Sequence, residues 1–166
     1  NSENQYLCLI KAKATNITSC EINSSCRIIS ASAFSDCSRL QSMTIPASVT
    51  IIGESAFSGC SGLTSITIGD GVTRIGMGAF SGCKKLSSVV IPNSVTDIGN
   101  YAFEGCTNLT SVNIPNSITV ISPGMFQNCT SLSSYDIPNW VVRIGVGAFG
   151  RCTGLTSVTI PNSVIN

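Results

Sequence analysis

"LTSITIGDGVTRIGMGAFSGCKK", residues 63–85, holds one full copy of a phrase that runs through the whole chain. Taken alone, its Cys83 beside Lys84 and Lys85 invites a reading as a reactive centre or a metal ligand. The other copies decide otherwise. "SAFSDCSRL" ends at Leu40, "SAFSGCSGL" at Leu63, "YAFEGCTNL" at Leu109, "GMFQNCTSL" at Leu132 and "GAFGRCTGL" at Leu155. Phe34, Phe57, Phe80, Phe103, Phe126 and Phe149 are spaced by 23 residues, and Cys37, Cys60, Cys83, Cys106, Cys129 and Cys152 follow the same step. Self-similarity at a period of roughly 20–50 residues marks a solenoid, and it takes precedence over local motifs. No insertion breaks the period, so each coil stacks directly on the last.

Within one unit, "SITI" alternates polar and apolar residues as a half-buried strand does, with Ile66 and Ile68 inward and Ser65 and Thr67 outward. Proline follows the strand at Pro46, Pro92, Pro115, Pro138 and Pro161. Having no N–H to donate, it ends the strand and turns the chain. Val72 and Ile75 make a second inward edge. Gly76, in register with Gly53, Gly99 and Gly145, is expected to supply a positive φ at the next corner. "AF" then re-enters the core through a short helical or irregular turn. One coil cannot bury this much apolar surface alone, but parallel strands stacked about 4.8 Å apart can. Six coils make a rod roughly 30 Å long by that spacing.

Nine cysteines raise the question of a disulfide framework. Six of them keep phase with Phe and Leu, and free cysteine is among the most buried residue types, so they read as a ladder of buried thiols. Cys8, Cys20 and Cys26 stand outside that series and are the disulfide candidates.

The chain of 166 residues is 43% hydrophobic and 10% charged, with nine Lys and Arg against eight Asp and Glu. No basic block supplies the field that nucleic-acid binding requires. No run approaches the roughly 20 apolar residues of a membrane span. Starting at Asn1 without methionine or signal peptide, it reads as a processed or trimmed product. There is no histidine, which removes Cys–His and Ser–His pairs, and cysteines 23 residues apart do not make a zinc site. No cofactor motif is present: "GMG" at 76–78 and "GVG" at 145–147 recur in phase as corner glycines. The four sequons at Asn16, Asn23, Asn108 and Asn128 are about what Ser- and Thr-rich composition produces by chance.

The assembled repeat "LTSVTIPNSVTDIGNYAFEGC" resembles the BspA-like, or Treponema-type, leucine-rich repeat family. The resemblance covers residues 17–166 as six to seven repeats. It implies an α/β solenoid, a right-handed superhelix with a concave parallel β-sheet and a short or irregular convex side. It also implies a surface or secreted protein, hence an extracellular or cell-surface location, that binds a host matrix or cell-surface protein. Residues 1–16 lack the Phe and Cys and read as a capping hairpin. "SVTIPNSVIN" stops mid-repeat without a cap, leaving an end available for self-association.

Two outward columns mark the strand face. Ser42, Ser65, Ser88, Ser111, Ser134 and Ser157 are uniform; Thr44, Thr67, Val90, Asn113, Asp136 and Thr159 vary. Strand faces of solenoids are extended binding surfaces, although polar residues there also serve simply to solvate tightly packed strands. Trp140 breaks a position that otherwise carries Ser or Gly, while Met77 and Tyr101 stand at variable corners. The candidate binding residues are therefore Asn113, Asp136, Trp140, Val90, Thr67, Met77 and Tyr101. Exposed aromatics and Met favour interfaces. Protein recognition is the leading expectation. A spacer within a longer surface protein, or a hydroxyl array that orders ice, are the alternatives.

Overall fold

The computed structural model describes residues 15–165 and the backbone of Cys8–Leu9. The coils contribute strands to two parallel columns. The first column contains Ser42–Ile45, Ser65–Ile68, Ser88–Val89, Ser111–Val112, Ser134–Asp136 and Ser157–Thr159. The second contains Cys8–Leu9, Ile28–Ile29, Ile51–Ile52, Arg74–Ile75, Asp97–Ile98, Val120–Ile121 and Arg143–Ile144. Every recorded pairing is parallel, and from residue 28 onward each joins positions 23 residues apart, as in Ile66 with Met43 and Ile98 with Ile75. The period of the sequence is therefore the register of the sheets.

The columns differ in continuity. Five strands of the second form one sheet, whereas the first splits into three two-stranded pieces. The sequence reading placed the sheet on the first column alone; the second edge is the longer sheet.

No helix occurs among the described residues, so the "α" of the expected α/β class is not seen there. The "AF" stretch is a chain of turns. Alternate N–H groups reach the following coil instead of their own: Phe34 donates to Ala56 O, Phe57 to Ala79 O and Phe80 to Ala102 O, at 2.7–2.8 Å, while Ala33, Ala56 and Ala79 donate three residues back within their own coil. A helix would need those donors for i−4 carbonyls. Two left-handed positions per coil prevent one in any case. Ser32, Ser55, Gly78, Tyr101, Gly124 and Gly147 have positive φ, as do Asp36, Gly59, Gly82, Gly105, Asn128 and Arg151.

Gly53, Gly76, Gly99 and Gly145 are absent from that set, which corrects the role expected of them. Their reason is proximity. A Cβ on Gly76 would lie 2.6 Å from Glu54 N, and one on Gly99 would lie 2.4 Å from Met77 N. Bare backbone at this corner lets successive coils touch.

Inside, the phenylalanines stack. Ring centroids from Phe34 to Phe126 are 4.9–6.0 Å apart with interplanar angles of 6–17°. Leu40, Leu63, Leu86, Leu109 and Leu132 are buried beside them, as are Ile52, Ile75 and Ile121. Cys8–Leu9 pairs in parallel with Ile28–Ile29. The remainder of the expected capping hairpin, residues 1–7 and 10–14, lies outside the described residues.

Candidate functional site

The thiol column is closed to chemistry. Cys60, Cys83, Cys106, Cys129 and Cys152 are free and buried, and Cys37 is buried in the same column. Each of the five points its Sγ at the phenylalanine carbonyl of the preceding coil, from Cys60 to Phe34 O through Cys152 to Phe126 O, at 3.0–3.3 Å. That carbonyl also accepts the N–H three residues on, as Phe57 O does from Cys60 N. The thiol thus tops up a buried acceptor. Burial pushes the pKa of the Cys60 thiol up to about 12, with the neighbouring thiol of Cys37 adding to the rise. Burial, with the neighbouring thiols adding to it, pushes Cys83, Cys106 and Cys129 well up from the ordinary thiol value too. A thiol that stays protonated is a poor nucleophile and a poor metal ligand. Among the described residues no group of three or more Cys, Asp or Glu is placed to hold a metal.

Cys20 and Cys26, expected as disulfide candidates, are free thiols. Both belong to inward columns that the Phe-Cys-Leu phase hides. Cys20 precedes Met43 and Ile66 by the repeat step, and Cys26 precedes Val49 and Val72. They stand in for apolar residues of the first coil, and Cys26 Sγ turns to Ile28 O at 3.4 Å. The side chain of Cys8 lies outside the described residues.

On the first strand column, Thr67, Val90, Asn113 and Asp136 all face outward on successive coils. Val90 is 75% exposed. It lines a shallow groove of about 340 Å³ with Ser65, Thr67, Asp70, Ser88 and Pro92. Asn113 differs from its neighbours in column. Its Oδ1 accepts from Ile91 N at 2.7 Å while its Nδ2 donates to Ile91 O at 2.8 Å. The side-chain amide occupies the place of a backbone rung, and the strands here, Ser88–Val89 and Ser111–Val112, stop just short of it.

Trp140 is 38% exposed, and its indole Nε1 donates to Pro115 O at 3.1 Å. In neighbouring coils the same position is serine, whose hydroxyl also bonds back to the previous coil: Ser94 to Val72 O, Ser117 to Val95 O, Ser163 to Val141 O. Trp140 also links back to the previous coil, but its longer arm reaches a carbonyl three residues earlier than the one the serines use. Tyr135 is buried, packs its ring against Phe149 at 5.4 Å with a 46° tilt, and donates its hydroxyl to Val112 O at 3.2 Å.

The corners differ again. Met77 is 47% exposed and Tyr101 39%. Tyr101 has φ 58°, where its counterparts are Ser or Gly. A left-handed non-glycine residue costs about 1–2 kcal/mol. Its ring lies over Gly124, where a Cβ would come within 2.2 Å of the ring. Arg74 and Asp97, paired across the second column, form an exposed ion pair at 3.1 Å. Sequence reading missed this pair because the two residues read as unrelated charges until the register aligns them.

The family model for the BspA-type leucine-rich repeat region matches six copies, over residues 12–132 and 51–166. The chain belongs to the BspA-type leucine-rich repeat family. Solved structures agree. A leucine-rich repeat protein of Treponema pallidum is 34% identical, with 82% of this chain and 64% of that one covered, at a TM-score of 0.78. One from Bacteroides ovatus is 32% identical, covering 84% and 42% of the two chains, at 0.65. The pneumococcal vaccine antigen PcpA, at 20% identity, 84% and 44% coverage and 0.55, shares the fold alone. The chain spans less than two thirds of each of these proteins. A search of curated proteins returned no match. BspA-type repeats, like other leucine-rich repeats, are commonly protein-interaction modules.

Proposed function

We propose that this segment is a non-enzymatic recognition module of an extracellular or cell-surface protein, binding a host matrix or cell-surface protein through a concave first strand column. The observation that carries it is the outward column Thr67–Val90–Asn113–Asp136. There the side chain changes from coil to coil while the coil beneath does not, and an apolar residue stands 75% exposed among hydroxyls. Surface chemistry that varies on an invariant scaffold is what a specific interface requires. Asn113 and Trp140 contribute differently from Thr67, Val90 and Asp136. Their polar atoms are committed to the fold, so they shape the patch, and Trp140 remains partly exposed beside it.

The test substitutes Thr67→Ala, Val90→Asp and Asp136→Ala together and measures binding to immobilised matrix and cell-surface proteins. Loss of at least tenfold in affinity with an unchanged melting temperature is expected. Undiminished binding by the folded variant places the interface elsewhere. A spacer role is the second reading, favoured by the internal bonds of Asn113 and Trp140. Self-association through the last coil, where Ile160 is 60% exposed, would appear as concentration-dependent sedimentation.

A further inference from the structure

The second strand column carries a surface that the first does not. A groove of about 490 Å³ runs across three coils beside it. Its floor is the glycine line Gly53, Gly76 and Gly99, bare because any Cβ there would strike the neighbouring coil's backbone at 2.4–2.6 Å. At this position the first and fifth coils carry Ser30 and Ser122, and Ser122 sends its hydroxyl to Ile98 O, filling the space behind it. Stacking therefore sets the length of the groove at three coils, about 14 Å at roughly 4.8 Å per coil. The floor cannot donate hydrogen bonds. Gly53, Gly76 and Gly99 spend their N–H groups on Ile29 O, Ile52 O and Ile75 O. Strand addition is thus ruled out on the floor, and recognition falls to the walls.

Those walls are unlike each other. One carries Ile51 and the Arg74–Asp97 pair; the other carries Glu54, Met77 and Asn100. The two walls together carry two carboxylates and one guanidinium, so the groove has an excess of negative charge. A guanidinium has five N–H donors, more than one carboxylate uses, and Asn100 adds an amide of both polarities. Met77, 47% exposed, offers an adaptable apolar contact.

We infer that this groove is a second binding site, for a short extended polypeptide segment that carries a basic side chain next to an apolar one. About four extended residues, at roughly 3.4 Å each, match its length. The basic side chain meets Glu54 and Asp97, the apolar one rests on Met77, and Arg74 and Asn100 take the peptide carbonyls. The site lies on a different column from the proposed protein-binding face and stands or falls independently of it.

The probe is a phage-displayed library of random linear seven-residue peptides, panned on the whole chain. Two variants sort the binders: Glu54→Ala with Asp97→Ala in the groove, and Val90→Asp on the other column. Both alter exposed side chains, and their melting temperatures serve as the fold control. The inference expects enriched peptides with adjacent basic and apolar residues, weakened at least tenfold by the groove variant and unchanged by Val90→Asp. If the groove variant's melting point falls sharply, Met77→Asp replaces it. The inference is overturned if no enriched peptide depends on Glu54, Asp97 or Met77, if all depend on Val90, or if a glycan array binds at the groove where peptides do not.

Discussion

The third coil and the last coil carry nearly the same words, yet they are different environments. Phe80, Cys83 and Leu86 are wholly buried. Phe149 and Leu155 are only partly so, and Ile160, whose counterparts Ile45 and Ile91 are buried, is 60% exposed. The difference teaches that a repeat residue owes its burial to the coils on either side. Its own coil supplies the position, and its neighbours supply the energy.

The largest test of that contrast is truncation of the aromatic stack. Phe103→Ala removes a ring held between Phe80 at 5.4 Å and Phe126 at 6.0 Å, and should cost about 3–5 kcal/mol through the cavity it leaves. Phe149→Ala should cost less than half as much, because that side is already open. Urea denaturation of the two variants measures both. Equal losses would break the comparison.

Next comes the glycine line. Gly76→Ala places a Cβ against Glu54 N and Gly53 C at 2.6–2.7 Å and should cost about 1–3 kcal/mol, or more if the coils cannot separate. Gly82→Ala meets nothing closer than 3.6 Å, so it pits only the left-handed backbone, φ +72°, against a methyl group, at about 1 kcal/mol. Thermal unfolding separates crowding from backbone strain.

Alkaline pH sharpens the contrast again. Unfolded thiols lose their protons near the ordinary value of 9.0, whereas burial holds Cys60 to about 12 and Cys83 above it. Between these limits the folded chain holds more protons than the unfolded one. Stability is therefore fully present below pH 9 and falls as pH rises, by roughly 1.4 kcal/mol per pH unit for each buried thiol. Cys83→Ala should make the decline between pH 9 and pH 11 shallower by about that amount per unit. Cys152→Ala, at the open end, should do so over a narrower range. The smallest effect expected is that of Arg74→Ala, which removes an exposed ion pair worth under about 1 kcal/mol and should leave the melting temperature almost unchanged.

Much of this architecture is legible in the letters. The 23-residue step sets the register, and the Phe, Leu and Ile columns are the core because only inward positions repeat an apolar type without exception. What was not legible depends on reach between coils. Periodicity marks Gly76 as special but cannot separate a left-handed φ from a close approach. It marks Cys20 and Cys26 as irregular, although each fills an inward column whose other members are not cysteine. Asn113 and Trp140 look like free surface breaks until the previous coil's carbonyls are seen beneath them. The stretch around "AF" reads equally as a short helical or an irregular turn; it is a chain of turns because alternate donors that a helix would use are claimed by a neighbour one repeat away.

The stacked interior is tested most directly by thiol modification of the native chain, with each cysteine followed separately by mass spectrometry. Among the described cysteines, half-buried Cys20 should react first, while Cys83 and Cys106 react only as fast as the whole chain unfolds. Reaction of Cys83 and Cys106 at the rate of Cys20, under conditions where the protein remains folded, would contradict the closed stack on which every other feature rests.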